Sequence, residues 1–265
     1  MTGLPVGDRS ISRPGSGWWH ALSTVLRLEW ISAELHTRQR WVAIAVLPAA
    51  YLGLLGVGLS SVLGGESYLA WVLPGVVVMQ ALSGMSRIMA RTVTERRWGL
   101  AAFKLQAGIS ASAYVIGMLT PGIAAFVGQA VIILVLGACL GVWFGVMTSV
   151  LVVTGGCVAA VFWECLGYCV AAAIRSYQTR DFLLTVIVMP LTFSAPVFYS
   201  LDSVPTFLRL IARVNPLTYQ VELVRGFSQG GTGVLPTVIS IVELLIALAA
   251  SVWTTSRMRE LSFEG

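Results

Sequence analysis

Residues 112–140, SAYVIGMLTPGIAAFVGQAVIILVLGACL, run for 29 positions without a charged side chain. A helix rising about 1.5 Å per residue crosses a hydrocarbon core about 30 Å thick in roughly 20 residues, so this stretch can span a bilayer with length to spare. Comparable apolar runs lie at about 41–63, 69–89, 147–174, 182–201 and 236–254. The expected fold is an all-α integral membrane protein with six transmembrane helices across residues 41–254. Composition points the same way: 57% of the residues are hydrophobic and 11% charged, whereas a soluble domain carries about 25% charged residues to cover its surface.

Outside the spans, residues 1–17 (MTGLPVGDRSISRPGSG) are polar and lack the apolar core of a cleavable signal, so they read as a disordered cytoplasmic tail. Residues 18–40 place Trp19, Leu22, Leu26 and Trp30 at helical spacing, with Arg27, Glu34 and Arg38 off that stripe. This predicts an amphipathic helix lying in the membrane surface. The turn GGES at 64–67 forces a hairpin between the first two spans, and 91–107 gathers Arg91, Glu95, Arg96, Arg97 and Lys104 before the third. Pro190 and Pro196 should kink the fifth span. Residues 255–265 form a short terminal segment.

Cytoplasmic loops hold the excess of Lys and Arg, and 14 of the 17 such residues fall on one side of this arrangement. They precede the first span (Arg9, Arg13, Arg27, Arg38, Arg40), surround the second connection (Arg87, Arg91, Arg96, Arg97, Lys104), flank the fourth (Arg175, Arg180) and follow the last (Arg257, Arg259). Both termini are therefore expected in the cytoplasm. The net charge of +5 reflects topology and gives no ground for nucleic-acid binding.

The other three, Arg209, Arg213 and Arg225, sit in the unusual stretch 203–230. Ser203 and Pro205 mark a helix start, Phe207, Leu210, Ile211 and Val214 share one face, and Asn215-Pro216 interrupts before LTYQVELVRGF. Neither piece is long enough to span a membrane. Two short helices dipping into the outer leaflet, with arginines snorkelling to the interface, fit the pattern, and so does a surface loop.

Chemistry-bearing patterns are sparse. The single lysine, Lys104, stands in FKLQ, so no phosphate-cradling GxxxxGK[ST] loop exists in this chain. There is no HExxH, and no histidine in any span to activate a serine; no catalytic residue and no metal site are predicted. Cys165 and Cys169, one turn apart, read as small packing residues. Two acids do fall within spans, Glu164 and Glu243, and a charge at a helix centre costs about 2.5–3.5 kcal/mol. Glu164 is expected to face the bundle interior and line a translocation path with Tyr168; Glu243, roughly 10 Å below the outer end of its span, is expected to pair with a re-entrant arginine, Arg225 first. A buried structural hydrogen bond is an equally open reading of each acid.

The stretch SVPTFLRLIARVNPLTYQVELVRGF resembles the permease subunits of the ABC type 2 exporter family, which carry Pro, a short helix, Asn-Pro-Leu-(Thr/Ser)-Tyr and then Arg-Gly. The matching positions are Pro205, Asn215, Pro216, Leu217, Thr218, Tyr219, Arg225 and Gly226. TERRWGL is similar to the family's cytoplasmic Glu-Arg-x-x-Gly at Glu95, Arg96 and Gly99, although Gly108 stands where the family commonly has Pro before Ile-Ser. The resemblance implies an interfacial helix, six spans, a coupling helix at about 91–107 and a re-entrant pair at 203–230. It also implies a bacterial inner-membrane complex of two permeases, identical or not, with two cytoplasmic ABC ATPase subunits that bind the ATP and Mg, this chain binding no cofactor. Glu95, Arg96, Arg97, Gly99 and Phe103 would form the coupling surface, and an amphipathic drug, polyketide, lipid or glycan would be exported. An ion-gradient-driven transporter or channel, with Glu164 as proton carrier, is the main alternative. An importer permease would want an Glu-Ala-Ala-type cytoplasmic loop, which neither internal cytoplasmic connection carries.

Overall fold

The computed structural model describes residues 17–33, 35, 37–58, 66–174 and 176–263. The expected tail before Gly17, Glu34, the 59–65 end of the first predicted span with part of its turn, and Arg175 lie outside the described residues. Within them every regular element is helical. In chain order these are α1 (Trp18–Ser32), α2 (Arg38–Ala50, continuing as a π-helical stretch Tyr51–Val57), α3 (Glu66–Met79), α4 (Ala81–Arg97), α5 (Leu100–Gln106), α6 (Ala111–Cys139), α7 (Val146–Ala173), α8 (Tyr177–Ser194), a short 3-10 turn (Leu201–Ser203), α9 (Thr206–Val214), α10 (Pro216–Gln229) and α11 (Val234–Phe263). Among the described residues, four helical stretches are long and apolar enough to cross a membrane: Tyr68–Arg97, Ala111–Cys139, Val146–Ala173 and Val234–Met258.

α7 is the hub. It packs on α4, α6, α10 and α11, and its sequence explains why. Lipid tails are as apolar as the side chains, so helices in lipid associate through close packing rather than through expulsion of water. The interior face of α7 is built from Gly155, Gly156, Ala159, Ala160, Cys165, Gly167, Ala171 and Ala172 around the large Trp163. A Cβ at Gly167 would stand 2.9 Å from both Met85 Cγ and Ile88 Cγ2, so α4 can lie this close only because Gly167 has none. Cys165 and Cys169 face α11 instead, accepting from Ser251 and Thr254 at 3.8 and 3.9 Å.

Local chemistry sets the ends of the elements. Ser110 and Ser176 accept from the backbone N–H groups of Ala113 (3.3 Å) and Thr179 (3.1 Å), each cap contributing about 1 kcal/mol. Gly99 adopts φ 71°, ψ 6°, a left-handed conformation that stops α4 and turns the chain into α5. Residues 91–107 are accordingly two elements, since Arg91 to Arg97 continue the helix that begins in the bilayer-length stretch. Pro190 lies inside α8, but Pro196 does not kink it: the helix has ended at Ser194, with Ala195 extended at ψ 146° as a residue before proline favours.

The buried stripe of α1 also differs from the reading above. Ala21, Leu22, Val25 and Glu29 face inward against α6, whereas Trp19 and Trp30 are exposed. Trp18 Nε1 donates to Ser112 Oγ at 3.1 Å, pinning the start of α1 to the start of α6. Outward tryptophans on a helix flanked by polar residues are what an interfacial position favours.

Candidate functional site

At the Arg-rich end of the bundle, four helices are tied by one buried charge cluster. Lys104 of α5 places Nζ 2.6 Å from Glu29 Oε1 and 2.7 Å from Glu95 Oε1. Arg91 completes it, with Nε 3.1 Å from Glu29 Oε2 and Nη2 3.0 Å from Glu95 Oε1, and the Tyr114 hydroxyl of α6 donates to Glu95 Oε2 at 2.8 Å. Two carboxylates and two cations cancel, and the exposures of Glu29, Glu95 and Lys104 are 3%, 0% and 8%. Such a cluster adds little net stability while intact, but removing one member leaves an uncompensated buried charge.

The residues predicted for a coupling surface divide around this cluster. Glu95 is fully buried within it and forms no outer surface. Arg96 donates to the carbonyl oxygens of Ala172 and Ile174, which α7 leaves open at its end. The Arg97 guanidinium lies 4.8 Å over the Tyr177 ring of α8. Gly99 makes the turn, and Phe103, 69% exposed, stands outside it together with Trp98 at 73%. Sequence reasoning missed Glu29, Trp98 and Tyr114. Glu29 carried a signal, because it follows Leu22 and Val25 on one helical face; Trp98 and Tyr114 carried none that separates them from other aromatics.

Deeper in the bundle, Glu164 of α7 is 1% exposed and lines a cavity of about 360 Å³ with Arg40, Arg87, Arg91, Met118 and Pro121. Tyr168 does not join it there: its hydroxyl is 2.6 Å from Thr255 Oγ1. Glu243 is also elsewhere, accepting from Gln220 Nε2 at 3.3 Å, while Gln220 Oε1 accepts from Trp163 Nε1 at 2.8 Å. The three predicted pathway residues therefore occupy three separate surroundings.

Arg225 does not pair with Glu243 and does not snorkel. It is 8% exposed; its Nε donates to Trp71 O at 3.2 Å and its Nη2 to Pro196 O at 2.8 Å and Val197 O at 3.4 Å, with the guanidinium 3.7 Å over the Trp71 ring. It thus ties a carbonyl of α3 to the two carbonyls that follow the end of α8. Asn215 works beside it: Oδ1 caps Leu217 N at 3.0 Å, and Nδ2 donates to Leu191 O at 2.7 Å and Ser194 Oγ at 3.0 Å. Pro216 then occupies the first turn, where its missing N–H has no consequence. Tyr219 donates to Arg213 O at 2.8 Å, closing α10 back on α9 across the Asn-Pro corner. Pro205 starts α9, and Gly230, at φ 79°, ends α10.

This Asn-Pro corner with its buried arginine falls inside the region on which a family profile bears directly. The profile of the ABC-2 type transporter family matches residues 21–227, from the first turn of α1 nearly to the end of α10. The chain belongs to the ABC-2 type transporter family. As an ABC-2 chain it is a membrane subunit of an ABC transporter, a multi-pass membrane protein that associates with an ABC ATPase subunit. It is 24% identical over 248 residues to the inner membrane transport permease YadH of Escherichia coli strain K12, covering 88% of this chain and 92% of the relative. It is also 25% identical over 234 residues to Nodulation protein J of Rhizobium leguminosarum bv. trifolii, covering 84% of this chain and 86% of the relative. In this ABC-2 chain the charge cluster and the Asn-Pro corner are separate anchors, one holding helices together by charge, the other through backbone carbonyls.

Proposed function

We propose that this subunit exports an amphipathic substrate (a drug, polyketide, lipid or glycan) from a bacterial cytoplasm, driven by two ATPase subunits that hold the ATP and Mg. Two permeases, identical or distinct, enclose the path. α2 and α8 serve as the first and fifth spans beside the four long apolar stretches, both termini face the cytoplasm, and α9–α10 dip into the outer leaflet. Phe207, Leu210, Ile211 and Val214, all exposed, present an apolar face of α9 to lipid.

One observation carries the reading. The exposed Trp98–Phe103 turn is fastened through Lys104 to Glu29 on α1 and Glu95 on α4, and through Glu95 to Tyr114 on α6. A push on that turn by an ATPase subunit therefore moves four helices as a unit. Arg96 and Arg97, anchored on the ends of α7 and α8, extend the same linkage.

The test is co-purification and hydrolysis. Substituting Trp98 and Phe103 by alanine should weaken retention of the ATPase subunit and lower substrate-stimulated ATP hydrolysis, while the permease stays folded. Unchanged coupling would sink the proposal. The ion-gradient reading has one observation in its favour, the unpartnered Glu164 carboxylate inside the bundle. Transport by this chain alone, under a proton gradient and without ATP, would select it.

A further inference from the structure

Among the described residues five charged side chains are buried, Glu29, Glu95, Lys104, Glu164 and Arg225. Four of them are met by protein groups; Glu164 has no hydrogen-bond partner at either carboxylate oxygen. Its seat is shaped by two glycines. A Cβ at Gly84 of α4 would stand 2.8 Å from Glu164 Oε1, and a Cβ at Gly122 of α6 would collide with the carboxylate outright. One turn along α4 from Gly84, Arg87 donates Nη1 to Ser83 Oγ at 2.9 Å, but its buried Nε and Nη2 have no partner. Both side chains line the same cavity, and no ion pair joins them.

We infer that this cavity binds the head of a zwitterionic amphiphile, whose primary ammonium donates to the Glu164 carboxylate while its phosphate or carboxylate accepts from the Nε and Nη2 edge of Arg87. A cation alone would leave Arg87 unmet and meet its repulsion; an anion alone would do the same at Glu164. A ligand carrying both signs meets both side chains at once. The Nε–Nη2 edge of a guanidinium presents two parallel donors, the geometry that phosphate and carboxylate oxygens accept. Arg40 supplies a second cation on the cavity wall, while Arg91 and Glu29, also on that wall, already satisfy each other. A quaternary ammonium has no N–H to give Glu164, so ethanolamine-type heads are favoured over choline-type heads. The volume, about 360 Å³, falls within the roughly 300–1,000 Å³ of small-molecule sites, and Leu35, Met118 and Pro121 give the apolar part of the ligand a wall to lie on.

The inference takes up the expectation that Glu164 lines the translocation path, and rests on the proposed export only in calling the ligand cargo. The experiment therefore measures binding without ATP or transport. The purified chain is placed in phosphatidylglycerol nanodiscs doped with equal phosphatidylethanolamine and phosphatidylcholine, and retained lipid is read by native mass spectrometry. Soluble phosphoethanolamine is added as competitor in a second arm. Wild-type protein should retain phosphatidylethanolamine over phosphatidylcholine; Glu164→Gln should reduce that preference on the order of tenfold, the loss for one charge-assisted hydrogen-bonded contact, and Arg87→Gln, which removes the donors to the phosphate that both lipids carry, should lower retention of both by a similar factor. Gly122→Ala, which fills the carboxylate's seat, should reduce the preference as well. Displacement by phosphoethanolamine would assign recognition to the head and admit a soluble ligand; resistance to displacement would assign it to the lipid. Equal retention of the two lipids by the wild type, a preference unchanged in Glu164→Gln, or retention of both lipids unchanged in Arg87→Gln overturns the inference and leaves the exporter reading standing. Loss of ATP-driven transport with no loss in binding preference would bear on that reading instead.

Discussion

Two groups of buried charge lie within the same bundle and differ in one respect. Around Lys104, each carboxylate is met by two cations and Glu95 also by a tyrosine hydroxyl, so Glu29, Arg91, Glu95 and Lys104 form a closed set. Around Glu164, the acid and the nearby Arg87 both keep unpartnered atoms on a shared cavity. A closed set fixes helices relative to one another and has nothing left to offer a ligand. An open pair holds donors and acceptors that cost about 1–3 kcal/mol each when unmet and are free to take a ligand on the cavity they share.

Mutations can break that contrast. The largest effect is expected in the closed set: Lys104→Met leaves Glu29 and Glu95 sharing one cation, and should destabilise the solubilised chain by about 3–5 kcal/mol. Thermal unfolding followed by size-exclusion would show it, and a shift below 1 kcal/mol would mean the cluster is not closed. Next comes Arg225→Lys, where an ammonium cannot reach the carbonyls of Trp71, Pro196 and Val197 together; a loss of about 2–3 kcal/mol is expected in the same assay. Glu164→Gln should move stability in the other direction, raising it by about 1 kcal/mol, because a neutral amide costs less to bury without a partner than a carboxylate does. The smallest effect is expected at Trp98→Ala, within about 0.5 kcal/mol in stability because the side chain is 73% exposed. For that variant the informative measurement is ATPase retention, which should fall although the fold does not.

The sequence exposes the long apolar helices because their composition is local information: the uncharged run at 112–140 became α6 at Ala111–Cys139. The Asn-Pro corner was legible for the same reason, since Asn215 and Pro216 act on their own backbone. Other features depended on residues distant along the chain. Arg91 to Arg97 look like a solvated loop until Glu29, 62 positions before Arg91, is brought beside them. Arg225 has carbonyls for partners, and a carbonyl has no letter in a sequence; seeking a carboxylate led to Glu243, which Gln220 holds instead. Glu164 was identifiable as an acid in an apolar helix, but its setting depends on Gly84, Gly122 and Arg87 arriving from two other helices.

The most direct test of the central claim places the chain in sealed liposomes with and without the ATPase subunit that travels with it from native membranes. Cargo should accumulate only when both are present and ATP is hydrolysed, and alanine at Trp98 and Phe103 should lower substrate-stimulated hydrolysis and transport together. Movement of cargo by this chain alone down an ion gradient, at a rate that ATP and the ATPase leave unchanged, would contradict the account.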